Sequence, residues 1–360
     1  MVIGVSTRKY NRSPESTGNK LKTRGTSRSA VSPRFVSGTE KRLEELLSRD
    51  LSGLDIAVLM LNGLVVSDHV ALVALGVDAE GHKHPLGVQE GATENTTACT
   101  RLLTDLRDRG FRTGRSLLVV MDGSKALRKA VEDVFGNRAV VQRCQEHKIR
   151  NVTGHLPTDM QLNVRRSMQD AYRCGKRTQA KKLLENLERA LRGSHPGAAS
   201  ALAEGLDETL AVIDLGLPRM LERTLSTTNM IENLNGSVRD VTHNVKCWHD
   251  GTMVLRWLAA ALLEAQKSFR RVRGYKACSA LLPLYETVTP NSTTTLKSLR
   301  GGRVDQVSTA TRKSTFLGTT PSAAAIWIST LVHLASTRGL GRWRQACSPA
   351  ISPGRAESAG

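Results

Sequence analysis

Residues 115–144 read RSLLVVMDGSKALRKAVEDVFGNRAVVQRC. Leu117–Met121 is a short, wholly apolar run, the length of a buried strand, and Asp122-Gly123 closes it. The residues from Ser124 to Gly136 then change to helical spacing, with Ser124 placed to cap a helix and Gly136 to end it. RAVVQRC, ending at Cys144, predicts a further strand.

Working outward, the runs LDIAVLML (54–61), HVALVALGV (69–77) and KHPLGVQ (83–89) predict three strands in a meander. Residues 94–110 have helical periodicity and stop at Gly110. Three strands, helix, strand, helix, strand is the order of an RNase-H-like core. The expected class is therefore α/β, a mixed sheet with helices on its faces.

Downstream of Cys144 the pattern is helical to about residue 225, which predicts an all-α insertion. Residues 226–246 and 250–272 predict two more helices. After about Tyr275 the chain is Ser/Thr-rich, basic and non-periodic, apart from one apolar patch, AAAIWISTLVHLAS. This tail is expected to be mostly disordered. Residues 1–42 hold ten Lys/Arg against Glu15 and Glu40, and are expected to be a flexible arm. Pro33 argues against an intact helix-turn-helix there, since proline inside a helix costs about 3 kcal/mol. The expected division is a basic arm (1–50), a first core segment (51–147), the insertion (148–225), the helices completing the core (226–275) and the tail (276–360).

The net charge of +19 points to a polyanionic partner, nucleic acid first among them, over a merely solvated basic surface. Six scattered cysteines without a CxxC pair do not make a disulfide framework. No apolar run reaches the roughly 18 residues of a membrane span, and the N-terminus lacks a secretory h-region. A cytosolic setting fits.

Four places carry candidate chemistry. Asp122 ends an apolar strand, where a carboxylate faces the usual ligand crevice of an α/β sheet, although a plain turn Asp reads the same way. Glu232 lies among Asn229, Asn233 and Asn235, poor helix formers whose clustering suggests polar work rather than a merely solvated face. CQEHKIRN (144–151) offers Cys144 and His147, but a structural zinc site needs four ligands and no second Cys/His pair stands near. Lys148, Arg150 and Asn151 are placed there to meet phosphate oxygens. Asn62-Gly63, between apolar runs, is itself a signal for a tight type I′ hairpin, and for deamidation.

Taken together, residues 59–95, 117–152 and 224–251 resemble the catalytic core of Mutator-like insertion-sequence transposases, the insertion-sequence 256 group. The resemblance runs from roughly Gly4 to Tyr275 and implies an RNase-H-like fold interrupted by an all-α insertion. It implies metal-assisted phosphodiester hydrolysis, then transfer of the freed 3′-hydroxyl to target DNA, with Mg²⁺ or Mn²⁺ as cofactor and two ions in an intact site. The family's second acid falls on Asp122, its third on Glu232, and its Cys-x-x-His element on Cys144 and His147. Its first acid falls on Asn62. Metal ligation would rest on Asp122 and Glu232, and DNA contact on Cys144, His147, Lys148, Arg150, Asn229 and Arg239. The implied partners are double-stranded DNA, as transposon ends and target, and further copies of the chain. Two alternatives stay open: a decayed, DNA-binding descendant, which the short N-terminus, Asn62 and the unfamiliar tail would fit, and an RNase-H-fold nuclease acting on RNA or a hybrid.

Overall fold

The computed structural model describes residues 28–281 apart from Glu94, Asn244 and Lys246. The first 27 residues of the expected arm, and the tail from residue 282 with its apolar patch, lie outside the described residues.

The centre is a five-stranded mixed sheet of order β3-β2-β1-β4-β5. Its strands are β1 (Ile56–Val66), β2 (His69–Asp78), β3 (Lys83–Glu90), β4 (Leu117–Met121) and β5 (Ala139–Arg143). β1, β2 and β3 form the antiparallel meander, while β4 runs parallel to both β1 and β5. Helices cover both faces, so β4 and the first half of β1 are buried throughout and read as continuous apolar runs.

On one face, α2 (Thr96–Asp108) and α3 (Lys125–Phe135) pack their leucines on Leu59, Leu61, Val119 and Met121. Asn95 caps α2 by accepting from the Ala98 N–H at 3.2 Å, and Ser124 caps α3 by accepting from Leu127 at 3.2 Å. Gly136, at φ 58°, ends α3.

On the other face, α10 (Asn229–Thr242) and α11 (Gly251–Gln266) bury Ile231, Leu234, Val238, Leu258 and Leu262 against Val58, Met60 and Val120. Between β5 and α10 the described residues hold only helices, α4 (Gln145–Gly154) to α9 (Arg219–Leu225). α5 (Thr158–Tyr172), α6 (Arg177–Arg192) and α7 (Pro196–Ala203) share a separate apolar cluster with α4 and α8 (Ala211–Asp214). The helically spaced stretch GAASALAEGLDETLAVI (197–213) is not one continuous helix: Gly205 takes φ 59° after α7, and a 3₁₀ turn at Asp207–Leu210 leads into α8.

Two expectations are corrected. Asn62-Gly63 makes no hairpin. Leu64-Val65-Val66 continue the strand, with Asn62 opposite Val73 and Gly63 opposite Leu72, and the turn falls on Ser67-Asp68, Ser67 taking φ 52°. The apolar residues beyond the dipeptide outweigh its turn preference. Strand pairing also holds the Gly63 backbone extended, away from the cyclisation that deamidation requires.

Residues 28–48 are a helix, α1 (Arg28–Ser48), that runs through Pro33. The cost of about 3 kcal/mol for an interior proline is offset by packing. Leu46 is fully buried, worth roughly 1.5–3 kcal/mol. The Phe35 ring lies 4.8 Å from that of Trp257 in α11.

Order also extends past Tyr275. A 3₁₀ turn at Tyr275–Ala280 buries Cys278, followed by buried Leu281. No helix among the described residues is long and apolar enough to cross a membrane.

Candidate active site

Strand register assembles the site. β1 pairs with β4 through Val58 to Leu118 and Met60 to Val120. Asn62 lies two residues beyond Met60 in β1, and by the alternation of side chains along a strand it belongs to the Met60 face, which is the face α10 covers. Asp122 directly follows the last residue of β4. α10 carries Glu232. Asn235 holds this helix to the strand by donating from Nδ2 to the Gly63 carbonyl at 3.4 Å. Asn235 is buried, and its side-chain oxygen has no partner.

Asp122 accepts from the Ser124 backbone N–H at 3.0 Å. It lines a cleft of about 350 Å³ with Ser124, Arg143, Cys144, His147 and Asn151. Glu232 joins from the α10 side. Its Oε1 lies 3.6 Å from Nδ1 of His147 and accepts the hydroxyl proton of Thr228.

Thr228 is the hub. It is fully buried, its Oγ1 sits 3.2 Å from Cys144 Sγ and 3.3 Å from His147 Nδ1, and its backbone N–H donates to Cys144 Sγ at 3.4 Å. A hydroxyl has one proton. With that proton given to Glu232, the Thr228 oxygen accepts from the thiol or the imidazole. Burial pushes the Cys144 thiol up, but hydrogen bonds from His147 and from the Thr228 backbone N–H work against it, and Cys144 lies below its ordinary pKa. The bond to Cys144 in turn raises His147 against the opposing pull of burial, with the charges of Cys144 and Glu232 adding to the rise. Cys144, His147 and Glu232 thus bring three possible ligand atoms within 4.8 Å of one another.

A second group, Asp78, Glu80 and His82, meets the same distance criterion at the β2–β3 turn. There the Arg271 Nε donates to His82 Nε2 at 3.0 Å. That leaves the Nδ1 proton facing the Asp78 carboxylate at 3.3 Å, so Asp78 and His82 are already engaged by hydrogen bonds of their own.

Thr228→Val keeps the shape and removes the hydroxyl. It leaves the part-buried Glu232 carboxylate short of a donor, which costs about 1–3 kcal/mol. The expected result is a lower urea midpoint, with the ordinary pH titration of His147 displaced in NMR spectra. An unchanged midpoint and titration would show that the hub carries no weight.

Other residues fall where the sequence does not place them. Cys144 is buried, with its backbone N–H bonded to the Met121 carbonyl at 2.8 Å, so it braces the cleft from within rather than reaching outward to DNA. Lys148, expected at the surface for phosphate, is only 5% exposed. Its Nζ donates to the carbonyls of Ala201, at 2.6 Å, and Glu204. The end of α7 leaves those carbonyls without helical partners, and the lysine satisfies them. Arg143 does similar work, donating to Gly123 O at 2.6 Å and Glu204 O at 3.3 Å, which ties the Asp122-Gly123 turn to the insertion. Arg150 and Arg239 are exposed and line neither this cleft nor its neighbours, while Asn229 is exposed at the first turn of α10.

Burial, with Arg143 nearby, lowers the Lys148 pKa from 10.5 to about 8. Between those values the unfolded chain keeps a proton that the folded chain has released, so stability rises with pH from about 8 to 10.5. Urea midpoints of the wild type should climb across that window relative to those of Lys148→Met. Parallel curves would contradict the assignment.

Fold and site together define a mixed α/β protein with a carboxylate-bearing cleft at the ends of its parallel strands. The chain belongs to the Mutator family of transposases, whose profile matches residues 1–272. It is 31% identical over 175 residues to the transposase for insertion sequence element IST2 of Acidithiobacillus ferrooxidans, covering 49% of this chain and 58% of that protein. It is 29% identical over 287 residues to the transposase for insertion sequence element ISRM5 of Rhizobium meliloti (strain 1021), covering 76% and 68%. With the transposase for insertion sequence element IS256 in transposon Tn4001 of Staphylococcus aureus it shares 25% identity over 279 residues, covering 73% and 67%. The chain thus spans less than two thirds of the Acidithiobacillus relative and about two thirds of the other two.

Proposed function

We propose that the chain is built for metal-dependent cleavage and strand transfer of double-stranded DNA during movement of an insertion sequence, on an RNase-H-like core. The observation that supports this reading is the parallel pairing of β1, which carries Asn62, with β4, which Asp122 follows, together with the packing of the Glu232-bearing helix on β1.

The donor set fits one hard divalent cation better than two. Asp122 and Glu232 offer anionic oxygens, as Mg²⁺ or Mn²⁺ prefers. Asn62 has no hydrogen-bond partner for its side chain among the described residues, so its carbonyl oxygen is free to add a neutral donor. The orphaned Asn235 oxygen suits a donor from the hydration shell of such an ion. A bound ion would polarise the phosphate and lower the pKa of an attacking water or 3′-hydroxyl.

The chain's own residues do the rest. Thr228 and His147 fix the rotamer of Glu232. Arg143 holds the turn after Asp122. Pairing of two transposon ends calls for more than one copy of the chain.

A second reading, a DNA-binding protein with impaired chemistry, is favoured by the neutral amide at position 62 alone. Cleavage and joining assays on transposon-end duplexes, run on the chain and on Asn62→Asp, separate the two. Activity in the variant alone supports the second reading for this chain. Activity in neither removes the first.

A further inference from the structure

A groove of about 940 Å³ runs beside the first turn of α10, between α9, the start of β3 and the segment following α11. Its charged lining residues are all cations: Lys83, Arg219, Arg223, Arg270, Arg271 and Arg273. Three separate stretches of chain supply them, and specific contacts hold those stretches together. Val272 is buried, and its N–H donates to the Gly81 carbonyl at 2.9 Å, leaving Arg271 and Arg273 exposed on either side. The Thr224 hydroxyl, which donates to the Met220 carbonyl at 2.7 Å, lies 3.4 Å from the Arg273 carbonyl. Gly274, at φ 85°, lies so close on α9 that a Cβ would stand 2.9 Å from the Leu221 nitrogen.

Like charges gathered this way repel one another and need a counter-charge. Some are partly answered. Arg219 pairs with Glu222 at 2.9 Å, Arg271 sits over the Tyr275 ring and on His82, and Lys83 sits over the Phe269 ring at 4.7 Å. Arg223, Arg270 and Arg273 are exposed and make no ion pair among the described residues. Many basic residues elsewhere are paired, as where Arg177 meets Asp207 and Asp214, and Arg128 meets Glu132 and Glu208, while others such as Arg150, Arg166 and Arg239 stand unpaired among the described residues. What sets the groove apart is that six cations line it with no acid among the lining residues. Met220, 62% exposed, also lines it, an apolar side chain suited to sugar and base edges rather than to a lone anion.

We propose that this groove binds the sugar-phosphate backbone of duplex DNA next to the segment that reaches the Asp122–Glu232 cleft. The inference rests on the DNA-processing reading above and gives it a path. Asn229 and Asn233 face the groove from α10, while Glu232 on the same helix meets His147. A duplex lying in the groove would run along the helix that carries the carboxylate.

The test uses the full chain and a fluorescein-labelled duplex of arbitrary sequence, with affinity followed against KCl concentration. Each phosphate contact removed should lower the slope of log affinity against log salt by about 0.9. Arg223→Gln, Arg270→Gln and Arg273→Gln should each reduce it by about that amount, and the triple variant by about three times as much. Arg177→Gln with Lys181→Gln, on α6 and away from the groove, should leave it unchanged. The single variants remove exposed, unpaired side chains and should keep the wild-type melting temperature, so they carry the test if the triple variant does not fold. A wild-type slope in the single and triple variants overturns the groove while leaving DNA binding intact. So does a groove whose loss weakens binding of poly-glutamate and not of DNA. Absence of duplex binding by the wild type overturns both the groove and the reading beneath it.

Discussion

Asn62→Asp is expected to raise Mg²⁺- or Mn²⁺-dependent DNA cleavage by on the order of 10³-fold or more, the several kcal/mol of transition-state stabilisation that one metal-site carboxylate supplies. The shape of the side chain barely changes, and the position is half-buried within β1, so the fold should accept it. What changes is charge. Without metal, a new carboxylate on β1, the strand that pairs with the one Asp122 follows, adds negative charge on Asp122's side of the sheet, and the variant should melt below the wild type. With metal that charge attracts the ion. Binding that favours only the folded state raises stability with the logarithm of ligand concentration. The melting temperature of the variant should therefore climb more steeply with Mg²⁺ than that of the wild type. Equal metal response and equal cleavage in the two forms would remove position 62 from the metal site.

The sequence shows most of the fold and only part of the site, for physical reasons. Strands β1 and β4 and helix α3 are legible because burial on two faces, capping by Ser124 and termination at Gly136 are local properties. Asp122 is legible because it ends such a strand. The hairpin at Asn62-Gly63 is misread because turn preference is weak beside an apolar run that continues past it. The helix through Pro33 is misread because its compensation lies on α11, more than two hundred residues away in sequence. Separation in sequence, 84 residues from Cys144, likewise hides the role of Thr228. Nothing in its neighbourhood shows that its hydroxyl joins Glu232 to Cys144 and His147. Lys148 reads as a surface cation until the carbonyls it satisfies, at the end of α7, are brought against it. The search for a second Cys/His pair near Cys144 likewise misses that the third donor is a carboxylate arriving on α10.

Glu232→Gln should abolish the activity that Asn62→Asp restores, again by on the order of 10³-fold or more, while changing almost nothing in the chain as it stands. Residues that act as one unit are strongly non-additive, so once one acid is missing the loss of another has little left to remove. The substitution is mild in structure. A glutamine carbonyl still accepts from the Thr228 hydroxyl, and losing a negative charge in the first turn of α10 costs about 0.3–1 kcal/mol. Duplex affinity should hold or tighten slightly, since the change makes the protein more positive. The metal-dependent rise in melting temperature gained with Asn62→Asp should disappear together with cleavage. That joint loss separates a metal-holding carboxylate from one that only braces the helix. A bracing Glu232 would lower the melting temperature equally with and without metal, and cleavage in the double variant would fall only as far as stability does. A double variant that keeps both its metal response and its cleavage would place the third acid elsewhere on the chain.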